Sequence, residues 1–141
     1  MKKKIAILGS TGSIGKSTFE ILKKDKNNFD IILLTTNNNY KEILLQTKVF
    51  KVKNLVINNK KHYLNLKRKL KNKKINIYNN FDSFNKKFKN KIDYTMCAIS
   101  GLDGLKPTLA SIKFSKKIAI ANKESLICAW NLIQKKILKY K

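Results

Sequence analysis

The chain has 141 residues and a mass of 16.3 kDa, room for one domain of ordinary size but not for separate cofactor and catalytic domains. Apolar residues make up 43% of it, which excludes wholesale disorder, and no apolar run reaches the roughly 18 residues that cross a bilayer. The formal net charge is +24, a value that on its face points to nucleic acid or another anionic surface.

From the amino end, Met1-Lys2-Lys3-Lys4 leads straight into a strand-like run and does not read as a signal peptide, so a soluble, cytoplasmic protein is expected. Short β-branched runs at 4–8, 29–35, 55–57, 75–78, 93–98 and 117–121 alternate with amphipathic stretches. That alternation predicts an α/β fold: a Rossmann-like, doubly wound, mostly parallel sheet with helices on both faces, formed by residues 1–141 as one domain. The first helix carries Ile14, Thr18, Ile21 and Leu22 as its apolar stripe, and the second carries Ile43, Leu44, Thr47 and Phe50. A lysine-rich segment at 60–73 with Leu64, Leu66 and Leu70 predicts a more exposed helix. Pro107 suits the first turn of a helix with Leu105, Leu109 and Ile112. The last helix, 125–140, places Leu126, Ile127, Trp130, Ile133 and Ile137 on one side. The tract 58–90 is the most biased in composition and yields least.

The charge is better explained by composition than by a nucleic-acid partner. Of its 32 basic residues only Arg68 is arginine, although Arg supplies the forks that base and phosphate recognition favour. Lys, Asn and Ile fill 66 positions, and these are the residues of A- and T-rich codons. Compositional drift on a solvated surface is the preferred reading, with no specific nucleic acid and no membrane partner; a basic nucleic-acid-binding module is the alternative.

Gly9-Ser10-Thr11-Gly12-Ser13-Ile14-Gly15 follows the first strand and opens the first helix. Glycines there permit a tight turn and close backbone approach, and the helix amides attract a phosphate or pyrophosphate. Plain turn chemistry is the bland alternative. A P-loop triphosphatase is a further one, since Gly15-Lys16-Ser17 is present, but Ser10 stands where that loop needs glycine and Gly9 is one residue too far. The second strand ends Thr35-Thr36-Asn37-Asn38-Asn39 without the carboxylate that NAD enzymes use on the ribose, which favours NADP. Asn39 also suits the cap of the following helix.

Two further strand ends carry Ile99-Ser100-Gly101-Leu102-Asp103-Gly104 and Asn122-Lys123-Glu124-Ser125, and in a doubly wound sheet both converge with the glycine turn. For the second, an ordinary helix start capped by Asn122 is the alternative. His62 reads as a surface residue, and Cys97 and Cys128 as core. No Ser-His-Asp set, carboxylate cluster or metal-ligand spacing can be assembled, so no catalytic or metal residue is assigned.

Taken in order, the stretch Ile7 to Gly15 with Ser17-Thr18, the stretch Gly101 to Leu109 (GLDGLKPTL) and the stretch Ile120 to Leu126 (IANKESL) closely resemble the amino-terminal NADPH-binding domain of the 1-deoxy-D-xylulose 5-phosphate reductoisomerase family. That resemblance implies an NADP-dependent oxidoreductase of isoprenoid precursor biosynthesis, which rearranges and reduces 1-deoxy-D-xylulose 5-phosphate to 2-C-methyl-D-erythritol 4-phosphate with NADPH and a divalent metal, magnesium or manganese. It also implies a homodimer for the full-length family. Carried over by position, Thr11, Gly12, Ser13 and Ile14 look like the cofactor loop, Asn122 and Glu124 like further NADPH contacts, and Lys123 like a contact to the sugar-phosphate substrate. Asn37-Asn38-Asn39 stand where the family tends to show Gly-Lys-Asn, so only Asn39 matches. The family's Asp-Ser-Glu-His metal segment and its flap follow beyond the last helix and are not among these residues. The expectation is therefore a cofactor-binding portion that is inactive by itself without the remaining catalytic portion.

Overall fold

Runs of Ile, Leu and Val short enough for strands, separated by Asn-capped amphipathic stretches, build the sheet and its helices. The computed structural model describes residues 1–140. Its strands are β1 (Lys3–Leu8), β2 (Phe29–Thr36), β3 (Asn54–Ile57), β4 (Asn76–Tyr78), β5 (Ile92–Cys97) and β6 (Ser115–Ile120). Its helices are α1 (Ser13–Lys24), α2 (Tyr40–Phe50), α3 (Lys60–Lys69), α4 (Phe81–Lys87), α5 (Leu105–Ser111) and α6 (Lys123–Tyr140), with a 3-10 turn at Leu102–Gly104. All paired strands run parallel in the order β4-β3-β2-β1-β5-β6. This is the α/β, Rossmann-like sheet expected from the alternation of strand and helix.

One core packs Phe19, Leu22, Ile43, Phe50 and Leu66 of α1 to α3 onto Ile5, Ile7, Ile31 and Leu34. The other packs Phe81, Phe84 and Phe114 onto Ala6, Leu8, Leu33 and Val56. The β1–β2 register slips by one residue, Ile5 facing Ile31 and Ala6 facing Leu33. The bulge puts Ile31 and Leu34 on one face and Ile32 and Leu33 on the other. The whole apolar run of β2 is thereby used on both sides.

Several sequence expectations shift. The inward face of α1 is Gly15, Phe19 and Leu22, while Ile14 and Ile21 face solvent, Ile21 at 67% exposure. Apolar residues lie on both sides of that helix, and the aromatic side, which buries more area, wins the core. In α6 the buried residues are Ser125, Ala129 and, from the expected stripe, Ile133; Ser125 and Ala129 are small enough to let the helix approach α5 and the 3-10 turn. Ile127 (79% exposed) and Trp130 face outward instead, and the helix is interrupted at Ala129, whose φ is −138°. Cys128 is exposed rather than core, whereas Cys97 is buried. His62 is half-buried and packs against Tyr40 in a tilted arrangement, with ring centres 4.7 Å apart. Helix α4 lies within the tract that gave no clear pattern; Asn80 caps it, and Phe81, Phe84 and Phe88 pack inward. None of the described helices is long and apolar enough to cross a membrane.

Candidate functional site

Strand β1 pairs with β2 on one side and β5 on the other, so the winding of the chain reverses between β1 and β5. Loops leaving the carboxyl ends of strands at such a point form the ligand crevice of open α/β sheets. Leu8 is in register with Cys97, which sets Gly9 beside Ala98. Gly9 takes φ = +80°, and a Cβ there would fall on the main chain of Ala98 and Ile99. A side chain is excluded twice over, by conformation and by space. Gly15 is closed off as firmly, since its Cβ would overlap the oxygen of Gly9 and the main chain of Ser10.

The turn these glycines permit is tied down by the end of β2. The Gly9 amide donates to Thr35 Oγ1 at 2.8 Å, and the Ser10 amide to the Thr35 oxygen at 2.9 Å. The hydroxyls of Thr11 and Thr36 are 2.7 Å apart. Gln46, buried on α2, donates from Nε2 to the Ser10 oxygen at 2.9 Å. Helix α1 then starts from Gly12 with no side-chain cap and no acidic residue in its first turn. Helices α2, α3 and α4 are each capped by an asparagine, Asn39, Asn59 and Asn80. Uncapped first-turn amides carry the positive end of the helix dipole and suit an anion. Gly12, Ser13 and Ile14 are exposed and Thr11 is half-buried, so this end of α1 is open to a ligand. Lys16, the lysine a P-loop would aim at phosphates, instead lies 3.8 Å from Glu42.

At the end of β2, Asn37, Asn38 and Asn39 are exposed. Asn39 Oδ1 accepts from the Glu42 amide at 3.2 Å, the capping role expected of it. Asn59 steadies the other two: its Nδ2 donates to Asn38 Oδ1 at 2.9 Å and its amide to the Asn37 oxygen at 3.2 Å.

The turn after β6 is built differently. Asn122 is 4% exposed; its Nδ2 donates to the oxygens of Ile99 at 2.7 Å and Gly101 at 2.5 Å, and its Oδ1 accepts from the Ser125 amide at 3.0 Å. Both amide protons and one oxygen lone pair are committed. Gly104 makes room for this, because a Cβ there would overlap Asn122 Nδ2 and the Ile99 oxygen. Asn122 thus clamps the loop after β5 to the start of α6. Lys123 points to solvent and Glu124 is half-buried beside it. The structure therefore brings the turns after β1, β2, β5 and β6 to one end of the sheet. Thr35, Thr36 and Gln46 were not singled out in the sequence, where nothing local marks contacts to residues 25 to 36 positions away.

The residues fit a dinucleotide phosphate: close backbone approach at Gly9 and Gly15, an uncapped helix and no carboxylate at the end of β2. They do not fit a metal, since no three His, Cys, Asp or Glu side chains converge among the described residues. Burial pushes the Cys97 thiol up from its ordinary pKa, which leaves it protonated and inert in the core.

The profile of the 1-deoxy-D-xylulose 5-phosphate reductoisomerase family matches residues 5–130. The chain belongs to that family. A reductoisomerase from Pelagibacter ubique is 60% identical over 141 residues, covering 99% of this chain and 36% of that protein. The reductoisomerase of Proteus mirabilis is 38% identical, covering 98% of this chain and 36% of its own length. Among solved structures, the Zymomonas mobilis reductoisomerase in complex with NADPH superposes with a TM-score of 0.89 at 34% identity, covering 99% of this chain and 37% of that one. A reductoisomerase in complex with NADPH, fosmidomycin and magnesium gives 0.86 at 30% identity, covering 98% and 34%. The chain spans about 36% of the length of the curated relatives it matches.

Proposed function

We propose that residues 1–141 are one NADP(H)-binding unit, the cofactor-holding portion of a reductoisomerase that converts 1-deoxy-D-xylulose 5-phosphate to 2-C-methyl-D-erythritol 4-phosphate in isoprenoid precursor synthesis. The observation that carries this reading is the uncapped start of α1 behind the glycine turn, in a fold similar to a reductoisomerase in complex with NADPH. NADPH supplies a hydride when bound. The free helix-start main chain at Thr11, Gly12, Ser13 and Ile14, with the Thr11 and Ser13 hydroxyls, would hold its pyrophosphate, and Asn37, Asn38 and Asn39 would receive the ribose and its 2′-phosphate without repelling them. Asn122 and Glu124 would make further NADPH contacts; with both Asn122 amide protons committed to the clamp, a donor from Asn122 to the cofactor would have to come from its main chain. Lys123 offers a mobile cation to the sugar phosphate beside the nicotinamide. By this reading the protein works in the cytoplasm, with substrate, metal ligands and homodimer contacts involving the portion of the family polypeptide that these residues do not span.

Titration of the purified chain with NADPH, followed by nicotinamide fluorescence, tests the cofactor reading; a folded sample that fails to bind at millimolar cofactor overturns it. Assayed alone with NADPH, magnesium and substrate, these 141 residues give no turnover, and measurable product would overturn that part.

A further inference from the structure

The glycine turn is held from behind by a residue outside it. Gln46 is 2% exposed on α2, and its Nε2 reaches the Ser10 oxygen at 2.9 Å across 36 residues of sequence. Its Oε1 is buried without a partner, so the carboxamide makes this one bond and accepts an unsatisfied oxygen to do so. Turning the amide over would set two oxygens face to face, which fixes its orientation. Ile43 and Phe50 supply the apolar part of the buried face of α2, and Gln46 is a polar group buried on that same face.

The consequence falls on the next peptide. The Ser10–Thr11 peptide bond is trans, so the Ser10 carbonyl and the Thr11 N–H point in opposite directions. Drawing that carbonyl toward α2 turns the Thr11 N–H away from α2, at the start of a helix whose first turn no side chain caps. The preceding amides of Gly9 and Ser10 are taken up by Thr35 and cannot serve a ligand. The Gly12 amide donates to the Gly9 oxygen at 3.2 Å, so within residues 9–12 the Ser10–Thr11 peptide is the unit whose direction decides whether an amide faces the crevice.

We propose that Gln46 is a positioning residue for pyrophosphate binding: it orients the Ser10–Thr11 peptide so that the Thr11 amide is presented to a phosphate oxygen. This inference rests on the NADPH reading above. The test uses the full chain with Gln46→Met, which keeps length and bulk but has no donor, and Gln46→Glu. The two probes are NADPH and adenosine 2′-monophosphate, which carries the 2′-phosphate end without a pyrophosphate. Gln46→Met loses about tenfold in NADPH affinity, the ~1.4 kcal/mol of one hydrogen bond, and keeps its affinity for adenosine 2′-monophosphate within about twofold. Gln46→Glu loses more at pH 8 and regains affinity relative to wild type at pH 6, because a protonated carboxyl again donates to the Ser10 oxygen. Wild type that binds NADPH while both variants bind it equally well overturns the positioning role alone. So does parallel loss of both probes, the mark of a general packing defect. Wild type that fails to bind NADPH overturns the cofactor reading and this inference with it.

Discussion

The turn after β1 and the turn after β6 both feed a helix at the carboxyl end of the sheet, but only the second caps its helix with a side chain. The first spends its glycines on closeness and leaves the amides of α1 uncapped. The second spends Asn122 on closure, joining Ile99, Gly101 and Ser125 through a single carboxamide. On the proposed reading the first turn is arranged around a ligand it receives, whereas the second holds a loop still. On that reading, the functional burden of the second would fall on the residues Asn122 leaves outward, Lys123 and Glu124.

The most damaging test of this contrast is Gly15→Ala. The added carbon meets main chain of Gly9 and Ser10, which cannot rotate away as a side chain could. Stability should fall by about 3 kcal/mol, read as a lower urea midpoint, and NADPH affinity by at least a hundredfold. Retained affinity in this variant would show that the turn does not form the phosphate site.

Asn122→Asp should come next. The carboxylate still caps α6 by accepting from Ser125, but the donors to Ile99 and Gly101 are gone and oxygens confront oxygens. A loss of about 2 kcal/mol is expected, visible in denaturant unfolding, with a NADPH effect well below that of Gly15→Ala. Equal effects on binding would erase the distinction between the receiving turn and the holding turn.

The two turns differed in legibility as well. Gly9, Gly12 and Gly15 announce themselves because glycine at a strand-to-helix junction has a local conformational meaning, and the six strands stood out because β-branched runs are short and bounded. Asn122 was legible as a cap, which is local, but not as a clamp, which depends on a loop 21 to 23 residues earlier. Gln46 and Thr35 were hidden for the same reason. The stripes of α1 and α6 misled because both helices carry apolar residues on two sides; only the packing partner decides which side goes in. Helix α4 was lost among Lys and Asn, although Phe81, Phe84 and Phe88 have helical spacing and burying Phe84 alone contributes about 2–3 kcal/mol.

A smaller effect is expected at the opposite end of the same seam. Asp93 accepts from the Lys4 amide and from Lys116, each at 2.8 Å, joining the amino ends of β1, β5 and β6. The hydrogen bond from Lys116, then that from Lys4, hold its carboxyl below the usual range. Because the folded pKa is the lower one, the stabilisation is present above the unfolded value of about 3.9 and is lost as pH falls through the folded value. Asp93→Asn should lower the melting temperature slightly at pH 7, and the difference should shrink as pH falls below about 3.9. A difference that does not shrink with falling pH would mean the side chain acts through packing rather than charge.

Lys123→Met should change least, and that is its use. The side chain is exposed, and no hydrogen bond or ion pair engages it among the described residues. Its removal therefore leaves the Asn122 clamp intact, with the unfolding midpoint within error of wild type and NADPH affinity within about twofold. What should change is attraction for a sugar phosphate in the presence of NADPH, tested by whether millimolar 1-deoxy-D-xylulose 5-phosphate perturbs bound nicotinamide fluorescence in wild type and not in the variant. A loss of stability in Lys123→Met would place this lysine in the holding machinery of the turn and remove the reason for assigning it to the substrate.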